Sequence, residues 1–413
     1  MSTTLSPLFG MRLAGTVRGC DPEVTLNRIK PAMIEAGITR VANVTGLDCV
    51  GVPTWMVVRP LSRSLTVSQG KGLSHQLAKC SGIMESLEIY HAETHVPKTE
   101  ILKLAECVND SRFPTLTSLP LKPTGVIGED FQIEWTPAKN LGCGSASFLP
   151  WELFDLDFTK PKRKDSLFFS SSNGLASGNS IDEALLHALC EVAERDQVTL
   201  WLLRRSCLVR QIPSKIDLNT VDDPEVISLL DACERAGLAV YLWSCIGDLK
   251  IPTFKCAVAD RTGSTPFQQR AGGSGAHPIK SIAATRAITE ALQSRLTHIA
   301  GSRDDAYWHD YEGNIPSNTS NASTSHDYYD SEESIDFGSI KSLSDSHEIT
   351  TMLTSLINSL ASRGLNNILW IDLTREKLNV PIVFLCVPGL EYSPPDEWFV
   401  PNERAIELLR TDS

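Results

Sequence analysis

Apolar residues in this chain recur with two periods, one helical and one strand-like, and the pattern switches between them from end to end. Residues 24–37 (VTLNRIKPAMIEAG) repeat at helical spacing and predict an amphipathic helix. The stretch TRVANVTGLDCVGVPTWMVVRP then alternates as strands do, with a break around Gly51 and Pro53. Next, LTVSQGKGLSHQLAKCSGIMESLEIYHAE reads as a strand entering a glycine loop at Gly70 and Gly72 and continuing into a long helix. The scheme returns in SLFFSSSNGLASGNSIDEALLHALCEVAERDQVTLW, where Ser180 with Glu183 makes a capping box at the helix start. It returns once more in GGSGAHPIKSIAATRAITEALQSRLTHIAGSRDD, again with glycines before a helix. Between these units lie a helix over 223–237 and strands AVYLWSC and TFKCAVAD; a helix over 349–363 and strands NILWIDL and PIVFLCV follow near the end. Alternating strands and helices predict an α/β fold with mixed sheets.

Residues 313–347 break the pattern. They are rich in Ser, Asn, Asp and Tyr, show little apolar periodicity, and read as a flexible surface insertion. Two N-x-S sequons, at Asn318 and Asn321, fall there and carry little meaning without a secretion signal.

Each of the three loop–helix units places polar residues on one helix face: Ser81, Glu85 and Glu88; Glu183, His187, Glu191 and Glu194; Arg286, Glu290 and Gln293. Each set falls within a stripe of roughly 80°. A solvated face is the ordinary fate of such charge. Here Leu185, Leu186, Leu189 and Val192 surround the middle stripe, and the same arrangement occurs three times, so the stripes look inward. Five or six inward carboxylates repel one another and resist burial unless cations accompany them. Hard oxygen donors suit Mg²⁺, and Mg²⁺ held by carboxylates usually brings phosphates. The stripes therefore point to a nucleotide site built from helix faces.

Composition narrows the alternatives. With 413 residues, 42% of them hydrophobic, the chain can form two ordinary domains or one large one. A formal charge of −12 argues against nucleic acid and against an anionic membrane surface as partners. No apolar run reaches a membrane span, and MSTTLSPLFGMRLAG lacks the features of a signal peptide, so a cytoplasmic protein is expected. The 11 cysteines include no C-x-x-C pair and suit reduced thiols; Cys80 and Cys190 read as packing residues. Lys71, in a loop before a helix N-terminus, is placed either for a phosphate or as a solvated turn residue, because the P-loop spacing is missing. His91 and His95 have the spacing of a zinc helix, but Glu93 is out of the base position, and the pair reads as an exposed helix end.

These segments resemble the YcaO superfamily from about residue 15 to residue 395. The resemblance rests on S-x-x-x-E-x-x-E at Ser81, Glu85 and Glu88; on S-N-G-x-x-x-G-N at Ser172, Asn173, Gly174, Gly178 and Asn179, leading to E-x-x-E-R at Glu191, Glu194 and Arg195; and on R-x-x-x-E-x-x-Q-x-R at Arg286, Glu290, Gln293 and Arg295 after G-A-H-P. It implies one large domain over 1–413, with helices and sheets surrounding an ATP and Mg²⁺ site. Glu85, Glu88, Glu191, Glu194 and Glu290 would hold metal, while Arg18, Thr25, Lys71, Ser81, Asn179, Glu183, Arg286, Gln293 and Arg295 would contact the nucleotide. Glu191, Glu194, Arg195, Arg286 and Gln293 would be catalytic, in a family that passes the ATP γ-phosphate to a peptide-bond oxygen. Ala176 replaces a nucleotide-binding serine of some relatives, and Phe384, Leu385 and Cys386 stand where relatives often carry Arg before VPG.

Within the superfamily, GTVR, GITRVANVTGLDCVGVP, IMESLEIYHAE and DLTREKLNVPIVFLCVPGLE look like proteins that work with a TfuA partner and are associated with peptide thioamides. Azoline-forming relatives commonly end in a Pro-rich tail; this sequence ends NERAIELLRTDS. The resemblance thus implies thioamide formation on a ribosomally made peptide or protein, with a TfuA-like partner supplying sulfide. Azoline formation and a non-catalytic nucleotide-binding scaffold are the alternatives. Without an obvious leader-binding domain, peptide recognition falls to a partner or to the domain's own surface, and a homodimer remains open.

Overall fold

The computed structural model describes residues 9–123, 127–161, 166–206, 214–261, 270–305, 333–392 and 399–411. A hairpin of β1 (Met11–Leu13) and β2 (Thr16–Arg18) leads into α1 (Pro22–Arg28) and α2 (Lys30–Glu35). The single helix expected over 24–37 is two short ones, because Pro31 lacks the N–H that a continuous helix requires and opens a second helix instead. An antiparallel meander follows, made of β3 (Arg40–Asn43), β4 (Thr54–Val58) and β5 (Val67–Lys71), and passes into α3 (His75–Thr94). Then come β6 (Glu100–Lys103), α4 (Leu104–Cys107), β7 (Gln132–Asn140), β8 (Ala146–Pro150) and β9 (Leu175–Ser177), and the last enters α5 (Ile181–Ser206). After β10 (Lys215–Asp217), α6 (Pro224–Arg235) precedes a second meander of β11 (Leu238–Ser244), β12 (Thr253–Asp260) and β13 (Arg270–Ala276), which feeds α7 (Lys280–Ala300). The chain continues through β14 (Ser334–Asp336), α8 (Ile349–Ala361), β15 (Leu369–Asp372), β16 (Ile382–Cys386) and α9 (Glu403–Thr411).

Besides the two-stranded β1–β2 sheet, the described residues form three larger sheets, ordered β3-β4-β5, β13-β12-β11-β10-β14 and β6-β7-β15-β16-β9, with β8 pairing β7 in the last. The strands that feed the long helices, β5, β9 and β13, are each an edge strand of their own sheet. Two of the three units share a further order, helix, three antiparallel strands, helix: α2 to α3 and α6 to α7. All three share a register. Ser81, Glu85 and Glu88 follow Lys71 at the spacing by which His187, Glu191 and Glu194 follow Ser177 and Arg286, Glu290 and Gln293 follow Ala276.

The glycines expected in loops at 70 and 270–276 lie in strands instead. A Cβ on Gly70 would fall 2.1 Å from Ala78 O and Gly82 N, and one on Gly273 would fall 2.2 Å from Ala291 N. Glycine is thus required where helix and strand backbones touch, which is how α3 and α7 lie flat against β5 and β13. Ser74 caps α3 by accepting from Leu77 N at 3.2 Å. The cap of α5 is half of the expected box: Glu183 N donates to Ser180 Oγ at 3.2 Å, but the Glu183 carboxylate turns to Gly19 N at 2.9 Å and Asn179 N at 3.2 Å.

Apolar packing divides accordingly. Ile83, Leu87, Trp135 and Phe154 fill a core between α3 and the β7–β9 sheet. Leu185, Leu189, Leu353 and Leu385 join α5, α8 and β16, and Val226, Phe254, Ile288 and Phe337 fill the space between α6, α7 and the second meander. The last cluster corrects the expectation for 313–347. The stretch from 333 onward is built in: β14 pairs in parallel with β10, and Phe337 is fully buried against Phe254 at 5.8 Å between ring centroids. The remainder, 313–332, including both sequons, lies outside the described residues. His91 is also corrected, being fully buried with Nδ1 2.7 Å from Leu87 O, because the end of α3 packs inside the protein. No helix among the described residues is long and apolar enough to cross a membrane.

Candidate functional site

The inner faces of α3, α5 and α7, together with the β1–β2 hairpin, enclose a cavity of about 510 Å³. It brings together Arg18, Thr25, Lys71, Ser81, Glu85, Glu88, Asn179, Glu183, Glu191, Glu194, Arg195, Arg286, Glu290 and Gln293. Arg295 does not line it. That guanidinium is buried behind α7, donating from Nε to Asp48 at 3.1 Å, because it lies two residues beyond Gln293 and on another side of the helix.

One end of the cavity is tied by neutral and charged hydrogen bonds. Glu183, 3% exposed, accepts from Gly19 N and lies 3.5 Å from Arg18 Nη1. Thr25 Oγ1 donates to Asn179 Oδ1 at 2.7 Å, and Arg28 Nη2 donates to the same oxygen at 2.8 Å. Arg28 was not anticipated from sequence, although it stands one helical turn after Thr25 and so shares its face. His187, in the middle stripe, also reaches the cavity wall.

The middle of the cavity holds the carboxylates. Glu88 accepts from Ser177 N at 2.8 Å and from its hydroxyl, and Glu194 accepts from Ser274 Oγ at 2.6 Å and Ala276 N at 3.1 Å. Glu290 lies 3.4 Å from Lys71 Nζ, and Glu191 lies 4.0 Å from Arg195 Nη2. Gln293 donates to Gln69 O at 2.8 Å, pinning α7 to the edge of β5, and Arg286 Nη1 donates to Ala276 O at 3.3 Å.

Electrostatics set this cluster apart from an ordinary ion-pair network. Burial pushes Glu85 up to about 7, with Lys71 and Arg303 opposing. Burial likewise pushes Glu88 up to about 8 and Glu191 up to about 7; neighbouring glutamates add to both, while Ser177 holds Glu88 back and Arg195 holds Glu191 back. Glu194 is raised by burial and by Glu290. Only Glu290 goes the other way: burial raises it, but Lys71, Arg195 and Lys255 together outweigh that and hold it below the usual range. Burial, the largest cause for each raised glutamate, thus makes the charged forms of these carboxylates costly unless a further cation accompanies them.

Hard oxygen donors whose charged forms burial leaves poorly solvated fit Mg²⁺. No three His, Cys, Asp or Glu side chains among the described residues converge into a ready-made metal cage. Carboxylates spread over three helices instead suit cations that complete their shells with phosphate oxygens and water. Lys71, Arg195 and Arg286 line the same cavity.

Residues 69–391 match the family model described as YcaO cyclodehydratase, ATP- and Mg²⁺-binding, and the chain belongs to that family. An uncharacterised protein from the tfuA 3′ region of Rhizobium leguminosarum bv. trifolii is 32% identical over 403 residues, covering 95% of this chain and 93% of its own. Among solved structures, YcaO from Methanopyrus kandleri bound with AMPPCP and Mg²⁺ superposes with a TM-score of 0.71 at 19% identity, covering 95% of this chain and 99% of that one. A heterocyclase in complex with substrate and cofactor gives 0.75 at 22% identity, covering 95% of this chain and 55% of that one. At these identities the likeness is one of fold.

Proposed function

We propose that this protein is an ATP-dependent enzyme that phosphorylates the oxygen of a peptide backbone amide, for conversion of that amide to a thioamide. The observation that carries the reading is the cavity itself: five carboxylates from three helices, held out of bulk water by burial, beside Lys71, Arg195 and Arg286. Arg18, Thr25, Asn179 and Glu183 hold the nucleoside end. The phosphates extend from there toward Lys71 and Arg195. Glu85, Glu88, Glu191, Glu194 and Glu290 would hold Mg²⁺, which would supply positive charge to the phosphate oxygens.

An amide oxygen leaves poorly, and phosphorylation turns its loss into loss of phosphate. The amide oxygen forms a bond to the γ-phosphorus as the β–γ bridge breaks, releasing ADP, and the amide N–H proton is lost. Hydrosulfide then adds its sulfur to the amide carbon, the C–O bond breaks with departure of phosphate, and the nitrogen regains a proton. No redox change occurs, and no side-chain nucleophile from this chain is required. Arg195 orients the transferred group, Arg286 contacts the nucleotide nearer Arg18, and the walls of the cavity limit attack by water.

Support for sulfur as the nucleophile comes from the relative in a tfuA region and from the features at 37–53 and 371–391. A TfuA-like partner would deliver the sulfide. The second reading is azoline formation, which the heterocyclase fold likeness favours and which would use the same phosphorylation with a Cys, Ser or Thr side chain of the peptide as nucleophile. Intact mass separates them. Incubation with ATP, Mg²⁺, sulfide, the TfuA-like protein and a peptide encoded beside the gene gives a gain of about 16 Da for oxygen-to-sulfur exchange and a loss of about 18 Da for cyclodehydration. Loss of water without sulfide would overturn the thioamide reading.

A further inference from the structure

Helix α7 serves as a ruler along the cavity. Arg286, near its start, feels the charge of Arg18 at the nucleoside end. Thr297, also on the cavity wall, stands three turns further along, roughly 16 Å away at the helical rise per residue. Just beyond, α7 ends at Gly301, whose left-handed backbone (φ 55°) reverses the chain. The reversal brings Arg303 back onto the cavity wall, near enough to Glu85 for each to feel the other's charge and at the end of α7 away from Arg286 and Arg18.

Arg303 is held there from two sides. The Asp305 carboxylate accepts from its Nε at 2.7 Å and from Nη2, which leaves Nη1 outside the pair. The neighbouring Asp304 accepts from Thr66 N at 3.1 Å and from the Thr66 hydroxyl, fastening the turn to the start of β5. Glu85 in turn feels the Arg303 charge directly. A guanidinium oriented by a carboxylate and anchored at the backbone costs little to reorganise when charge builds in front of it.

We propose that Arg303 is a phosphoryl-binding residue that meets the γ-phosphate from the end of the cavity opposite the nucleoside. The assignment rests on the nucleotide reading above and adds to it a cation outside the helix faces. It makes Arg303 a contact of the third phosphate and not of the first two.

The test compares a methylene-bridged, non-hydrolysable ATP analogue with ADP, each with Mg²⁺, by calorimetry on the full-length protein. Arg303→Ala lowers affinity for the triphosphate at least tenfold, about 1.4 kcal/mol, and changes ADP affinity by less than about twofold. Arg303→Lys, which keeps the charge and protects against a folding artefact, recovers part of the loss, and Asp305→Asn loses an intermediate amount. Triphosphate affinity unchanged in Arg303→Ala overturns the assignment alone, and so does an equal loss for both nucleotides. Failure of the wild-type protein to bind either nucleotide overturns the underlying reading and this assignment with it.

Discussion

Replacing Glu88 by Gln separates the demands of folding from those of ligand binding, because the two respond with opposite signs. Burial raises this carboxyl from 4.5 to about 8. The folded protein therefore holds a proton that the unfolded chain releases, and stability falls as pH rises from about 4.5 toward 8. If the whole shift were realised, the cost at pH 7.5 would approach about 4 kcal/mol. Glu88 keeps a face on the water of the cavity, and relaxation reduces the penalty further, so we expect about 1–3 kcal/mol. Glutamine has the same shape, and its amide oxygen still accepts from Ser177 N and Oγ. Glu88→Gln should accordingly raise the melting temperature of metal-free protein by about 1–4 °C at pH 7.5, because the unfolding entropy of a chain this long is large. The gain should vanish near pH 5, where the penalty is small in the wild type. Scanning calorimetry of both proteins from pH 5 to 8.5, with chelator and again with Mg²⁺ and ATP analogue, reads both effects. Wild type should gain strongly from the ligands and the variant little. Parallel pH curves for the two proteins, or an equal gain from ligands, would refute the argument that this charge is retained for binding.

Glu290→Gln should behave in the contrary way without ligand, lowering stability by up to about 1 kcal/mol, since Lys71 lies 3.4 Å away and loses its partner. It should still cut Mg²⁺-dependent nucleotide affinity at least tenfold by calorimetry. Gly70→Val should unfold the protein or cost more than about 3 kcal/mol in urea titration, because its Cβ would sit 2.1 Å from Ala78 O. Phe337→Ala should cost about 3–5 kcal/mol as a cavity-forming core substitution. Swapping 313–347 for a Gly/Ser linker should therefore lower the melting temperature, whereas a swap that keeps 333–347 should spare the losses due to β14 and Phe337.

The acidic stripes were legible because an α-helix converts spacing directly into direction, and Glu85, Glu191 and Glu290 needed nothing more to be placed together. Strand against loop was not legible at Gly70 and Gly273. Glycine marks close backbone approach and flexible turns alike, and only the partner helix tells which. The segment at 333–347 is hidden for a related reason: a three-residue strand and one buried Phe337 disappear into a Ser- and Asp-rich average. Arg295 continued a motif that implied nucleotide contact, yet it turns away to Asp48. Arg303 had no periodic signal at all, since it reaches the cavity only after the turn at Gly301.

The three edge strands have a mechanical consequence. Each of the three sheets ends at the cavity through β5, β9 or β13, so its lining is divided among apolar cores that otherwise pack separately. A ligand bridging α3, α5 and α7 becomes a joint between those cores. Without it, hydrogen exchange should resolve the β3–β5 meander and the β11–β13 meander as separately opening units; with it, the two should open together, so that occupancy is felt as cooperativity throughout the chain.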